Sequence, residues 1–183
     1  MDSTPTPSDV AYIVSNYRRL PHLCQAWGET ETETREYIAR GLLPRPAYVL
    51  AGKLEFFPDD YFVFPREASP LRRKQIFSER LKAALAGYRV PFDGADAESA
   101  WQSYLTGEYG ISLRIVLPET IARKACLIAS IAEALEKPVR TDEQWRNSLL
   151  ERVDALDALL RCGAKDDRER YVANVRNQFS ARS

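Results

Sequence analysis

The sequence predicts a mainly α-helical protein with one small β-hairpin in its first third. Three observations carry this. Apolar residues recur at helical spacing through most of the chain. Around Ala51-Gly52-Lys53 the pattern instead gives two short apolar runs flanking a turn. Hydrophobic residues make up 45% and charged residues 28% of 183 positions, enough to bury a core and too apolar for a disordered chain.

In chain order, Ser8 is placed to cap a short helix carrying Val10, Tyr12, Ile13, Val14 and Tyr17. A second helix is expected from Leu20 to Trp27, with Pro21 in its first turn and Gly28 ending it. A third is expected from about Thr30 to Arg40, stopped by Gly41. Ala47 to Phe57 forms the hairpin, and Pro58-Asp59-Asp60 opens a further helical turn into Tyr61 and Phe62.

Ser69-Pro70 starts a helix to about Tyr88, with Leu71, Ile76, Phe77, Leu81 and Leu85 on one face, and Val90 to Gly94 connects it onward. Ala95 to about Tyr109 is the next helix, bearing Trp101, Tyr104 and Leu105. Pro118 opens a long one through Leu135. Thr141 with Gln144 gives a capping-box pattern for a helix closed by Gly163, and a last helix holds Tyr171, Val172, Val175 and Phe179.

The longest apolar stretches are broken within about a dozen residues, short of the ~20 that span a bilayer. The polar start Met1 to Ser8 lacks the basic and apolar runs of a signal peptide, so a cytoplasmic location is expected. Cys24, Cys126 and Cys162 are far apart and odd in number, and His22 is the single histidine, which argues against a disulfide framework and a zinc site. The cysteines are expected as small buried apolar residues, Cys126 foremost, and His22 as a surface residue. There is no phosphate-binding glycine motif, dinucleotide fingerprint or metal-ligand spacing, so no cofactor is expected.

The helix, glycine-ended helix and helix ending in Gly41-Leu42-Leu43-Pro44, followed by a hairpin and Pro58-Asp59-Asp60-Tyr61, resemble the winged helix-turn-helix of MerR-type regulators over about Leu20 to Phe64. With a boundary expected near Glu67 to Pro70, residues 1–66 are expected as a winged-helix-like module with a small β-hairpin wing and residues 67–183 as a helical domain. Charge argues against DNA as its partner. The segment equivalent to a recognition helix carries Glu29, Glu31, Glu33 and Glu36 against Arg35 and Arg40, and Met1 to Arg66 holds nine acids and seven bases. Duplex binding draws its affinity from neutralising phosphates, which this balance does not supply. The basic run of Arg72, Arg73, Lys74, Arg80 and Lys82 alternates with apolar residues, as a solvated helix face does.

The sharpest polar motif is Trp101-Gln102-Ser103-Tyr104-Leu105-Thr106-Gly107-Glu108-Tyr109-Gly110, followed by Arg114 and Glu119. The two glycines permit a tight turn that presents Glu108 and Tyr109 from a helix end. Glu108 is the candidate acid or base, Tyr109 its hydrogen-bonding partner in catalysis, and Arg114 an anion clamp. Trp101, Tyr104 and Glu119 are the other candidate substrate-binding residues. The competing reading is a structural turn in which Arg114 pairs with Glu108 or Glu119.

The chain is similar to the family called domain of unknown function 6058, small bacterial proteins associated with natural-product biosynthesis. The residues that carry this are Gly41 to Pro44, Tyr48-Val49, Phe56-Phe57-Pro58, Tyr61, Trp101, Tyr104-Leu105, Gly107, Tyr109-Gly110, Leu113-Arg114, Pro118-Glu119, Ile121, Lys124, Asp154, Leu156 and Asp167 to Tyr171. Where the family shows a cysteine before leucine-arginine, this chain has Ser112. The resemblance implies a biosynthetic enzyme or accessory protein acting on a small polar metabolite, without an assigned reaction. The alternative is a winged-helix regulator or protein-interaction module, dimeric through the helix from Thr141 to Cys162.

Overall fold

A computed structural model describes residues 5–90, 93–136 and 142–180. Thr141, and the part of the expected connection at Pro91 and Phe92, lie outside the described residues. Helix α1 (Pro7–Asn16) begins on Thr6, whose hydroxyl accepts the Asp9 N–H while the Asp9 carboxylate accepts the Thr6 N–H. The cap is therefore Thr6, and the expected cap Ser8 lies inside the first turn. The reciprocal bonds of this pair satisfy two orphan donors, and Pro7 occupies the first position, where no N–H is needed. α1 buries Ile13 and leaves Val14 exposed.

Strand β1 (Tyr17–Arg18) follows, then α2 (Leu20–Trp27), closed by Gly28 at φ 67°, and α3 (Glu31–Ala39), followed by Gly41 at the same angle. β2 (Tyr48–Leu50) and β3 (Leu54–Pro58) form the expected hairpin. The three strands make one antiparallel sheet in the order β1-β3-β2, with Tyr17 opposite Pro58 and Val49 opposite Glu55. Pro58 is held in this sheet, so the helical turn expected at Pro58-Asp59-Asp60 does not form. The chain instead bends through two tight turns, Tyr61 N–H to Pro58 C=O at 3.1 Å and Val63 N–H to Asp60 C=O at 2.9 Å.

Two short 3₁₀ turns, Pro65–Glu67 and Pro70–Arg72, lead into α4 (Arg73–Gly87). Leu71, expected on the apolar face, stands 82% exposed because it precedes the helix. α5 (Gly94–Leu105) starts on an Asp93–Asp96 capping box. It stops two residues before Gly107, which takes φ 84°, and α6 (Glu108–Ser112) restarts at a new angle. The helix expected from Ala95 to Tyr109 is thus two helices, because a left-handed residue cannot continue an α-helix. α7 (Pro118–Glu136) matches its expected span. In α8 (Glu143–Leu159) Asp142 caps the Gln144 N–H, and the described residues continue through α9 (Lys165–Asp167) and a π-helical stretch Arg168–Ala173 to α10 (Asn174–Ser180).

Four apolar clusters hold these elements. Leu20, Leu23, Leu43 and Phe57 pack beneath α2 and α3. Ile13, Tyr17, Leu50 and Phe56 join α1 to the sheet. Phe64, Phe77, Trp101, Tyr104 and Leu113 fill the space between α4, α5 and α7, and Ile131, Leu149, Leu156 and Val175 that between α7, α8 and the C-terminal helices. Cys24 is buried, Cys126 half-buried and Cys162 exposed, so Cys24 and not Cys126 is the core thiol. His22 is exposed on α2. No helix among the described residues is long and apolar enough to cross a membrane.

Candidate functional site

The six residues singled out in the sequence fall into different environments. Trp101 and Tyr104 lie one helical turn apart on α5, stacked on each other at 5.1 Å and edged by Phe77, and are 4% and 3% exposed. Trp101 is thereby a core residue. The Tyr104 hydroxyl is buried without a hydrogen-bonding partner among the described residues, and Tyr104 borders a small, partly open cavity of about 20 Å³ with Tyr61, Gly107 and Gly110 in its wall. Glu119 opens α7 and is held by Arg80 through two bonds, Nε to Oε1 at 2.7 Å and Nη2 to Oε2 at 2.8 Å, which lower its proton affinity. Arg80 also bonds Glu67.

Glu108 starts α6 and is exposed, while Tyr109 beside it is half-buried against the Phe64–Phe77 cluster. Burial, with a smaller push from the Glu108 charge, raises the Tyr109 phenol to about 12. Arg114 pairs with neither Glu108 nor Glu119 among the described residues, and its main chain is bound across the molecule, N–H to Leu159 C=O at 3.0 Å. These six side chains do not converge on one point.

What the glycine-flanked turn does is join the two parts of the chain. A Cβ on Gly107 would lie 2.8 Å from the Arg45 carbonyl oxygen, and one on Gly110 3.2 Å from Pro58 Cγ. The Arg45 N–H donates to Leu105 C=O at 2.8 Å, and the Tyr17 hydroxyl to Gly110 C=O at 3.1 Å. The absence of side chains lets the Arg45–Pro46 main chain approach Gly107 and the Pro58 ring approach Gly110.

The convergent polar groups lie at a second point of the same junction. Arg161, just after α8, donates from Nε to Leu113 C=O at 2.6 Å, and from Nη2 to Arg114 C=O at 3.0 Å and to Asp60 Oδ1 at 2.9 Å. The other Asp60 oxygen accepts the Val116 N–H at 2.6 Å, and the guanidinium lies 5.3 Å from the Tyr17 ring centre. The Arg161 and Asp60 side chains are 13% and 10% exposed, a desolvated pair whose remaining hydrogen-bonding capacity is largely used. Burial raises the Asp60 carboxyl above its ordinary range, against the opposing pull of the Val116 N–H and Arg161.

This pair floors a polar pocket of about 290 Å³ whose walls include Tyr12, Asn16, Arg114 and Cys162. Beyond Tyr12 and Cys162, which border both, the pocket adjoins a groove of about 640 Å³ between α1, β2 and the loop before α9. Ile13, Tyr48, Leu50 and Ile111 give the groove its apolar surface, while Asp9 and Lys165, paired at 3.0 Å, stand at its rim. Arg114 is therefore the sequence candidate that the structure brings to a site. Asp60, Arg161 and Tyr12 carried no signal as site residues, because 101 positions separate the ion pair and no spacing rule links residues that only the tertiary fold brings together.

No curated protein and no solved structure matches the chain. A family model described as a family of unknown function, DUF6058, matches residues 73–180. The matched span runs from α4 to α10 and includes Arg114 and Arg161, while Asp60, α1 and the sheet precede it. Since the match covers more than half of the sequence, the protein belongs to the DUF6058 family.

Proposed function

We propose that the protein binds a small carboxylate-bearing metabolite in the cleft between its N-terminal part and its helices, as an enzyme or accessory protein of natural-product biosynthesis. The observation that carries this is the pairing of an apolar groove with an adjoining polar pocket that holds Arg114. Ligand sites combine a mostly apolar lining with a few placed polar groups in volumes of roughly 300–1,000 Å³, and the groove fits that description. Arg114 supplies the cation, for it has no carboxylate partner among the described residues. Asp60, whose two oxygens accept from Arg161 and from the Val116 N–H, holds the Arg161 guanidinium in the floor of that pocket. Glu108 and Tyr109 border neither volume, so the reading rests on Arg114 and no longer on them.

The test is a titration of the full chain with a panel of small aliphatic and aromatic carboxylic acids, read by calorimetry. A binder is expected to lose about 10- to 100-fold in affinity in Arg114→Ala, the weight of a charge-assisted hydrogen bond. Equal affinity in the variant would remove the anion site.

A second reading is favoured by the topology. We take the order α1-β1-α2-α3-β2-β3, with strands arranged β1-β3-β2, as support for a winged-helix reading of the first third. On α3 the exposed residues include Glu33 and Glu36, and Arg35 is bound to Glu31 and Glu55, both at 2.9 Å. Such a face supports a scaffold that meets a protein partner, not a DNA reader.

A further inference from the structure

The groove has one wall along strand β2. Tyr48, Val49 and Leu50, all three residues of β2, border it. Successive side chains of a strand point to opposite faces, so Tyr48 and Leu50 can share a face and Val49 cannot join them with its side chain. The burial pattern agrees, since Leu50 is buried while Val49 is 51% exposed. Val49 therefore borders the groove with its backbone.

Among the described residues β2 pairs only with β3, and the sheet order β1-β3-β2 leaves its other side as an edge. The Leu50 carbonyl is turned inward, where it accepts the Lys53 N–H at 3.1 Å. In an antiparallel ladder, residues alternate between bonding the partner strand and turning both polar groups away. One position from Leu50, Val49 is the residue whose N–H and C=O face out of the sheet. A groove with such an edge takes a ligand that offers a donor and an acceptor at strand spacing, an extended amide.

Resting on the cleft reading above, we infer that the ligand is an N-acylated amino acid or the carboxyl end of a short peptide, laid along β2 as a fourth strand. Its amide pairs with the main chain of Val49. Its apolar side chain packs among Ile13, Tyr48, Leu50 and Ile111, and its carboxylate reaches Arg114 in the adjoining pocket. Each of the three chemistries has its own place in the cleft, and an amide acid is the class of small molecule that carries all three.

The probes are N-acetyl-Ala-Leu, its N-methylated form at the Leu amide, and amide-free branched carboxylic acids of matched length. They are titrated calorimetrically against wild type, Val49→Pro and Val49→Ala. Proline removes the N–H at a position where the β3 pairing does not use it, whereas alanine keeps it. The acetyl dipeptide is expected to bind wild type and Val49→Ala about 10-fold or more tighter than the amide-free acids, and Val49→Pro to lose that advantage. The N-methylated probe is expected to lose it on unaltered protein, which decides the matter even if Val49→Pro fails to fold. Amide-free acids that bind as tightly as the dipeptide in an Arg114-dependent way would overturn this inference and leave the cleft reading standing. Failure of both classes would overturn both. A wild-type dimer by sedimentation that becomes monomeric in Val49→Pro would assign the edge to a second copy and also overturn it.

Discussion

Gly107 shows how much one residue decides here. Its φ of 84° costs an L-residue about 1–2 kcal/mol, and the Arg45 and Pro46 carbonyl oxygens at 2.8 and 3.2 Å leave no room for a methyl group. Neither neighbour is a flexible side-chain end, so the clash adds to the backbone strain. We expect Gly107→Ala to lower unfolding free energy by about 2–4 kcal/mol in urea titrations, within the range of strained-backbone substitutions. Gly87 is the control. It closes α4 with open space around it and an ordinary φ, and Gly87→Ala is expected to be neutral or slightly stabilising. The importance of the glycine pair was legible in the sequence, but its purpose was not. Glycine signals that the backbone does something special, and whether that serves a ligand or a distant chain segment depends on residues far away in sequence, Arg45 and Pro46 for Gly107 and Pro58 for Gly110. The i, i+3 spacing of Trp101 and Tyr104 was likewise visible, and such spacing marks a helix face; here the face is packed against Phe77 and Phe64.

Among elements, those with strong local punctuation were the legible ones. α2 and α3 carry proline or threonine starts and glycine stops, and the hairpin carries a turn with Ala51 and Gly52 both at positive φ. β1 has two residues and owes its existence to pairing with β3, so no periodicity could announce it. α6 escaped for a related reason, since five residues continue the apolar pattern of α5 and only the angle at Gly107 divides them. α3 is the element on which a regulator would depend. Its acidic exterior should repel phosphates, and the exposed cations nearby are partly spent, Arg35 on Glu31 and Glu55, Arg66 on Glu29. In fluorescence anisotropy with random duplex DNA at low salt we expect no binding. A tight complex that weakens steeply with salt would instead make α3 a recognition helix despite its charge.

At the scale of the molecule, the 66/67 boundary expected from the sequence falls inside a connected body of contacts. Phe64 precedes it, yet is built into the cluster of α4, α5 and α7 beside Phe77 and Tyr104. Asp60 reaches Arg161, Arg45 reaches Leu105, Tyr17 reaches Gly110, and the Tyr48 hydroxyl sits where a Cβ on Gly163 would be 2.7 Å away. Removing residues 1–66 would strip Arg161 of its carboxylate and open the Phe77–Tyr104 cluster to water. Loss of one partner of a buried ion pair alone costs about 3–5 kcal/mol, a large part of what a domain of this size has to spare. Apolar periodicity could not reveal this dependence, because it reports which face of an element is buried and not what buries it. The two parts are therefore expected to unfold together. Urea titrations followed by far-UV circular dichroism and by tryptophan emission, which samples Trp27 in the first part and Trp101 and Trp145 in the second, should superimpose on one transition. Separate midpoints, or a fragment of residues 67–183 that melts as cooperatively as the whole chain, would show the helical part to be self-sufficient and the cleft to be a contact between independent domains.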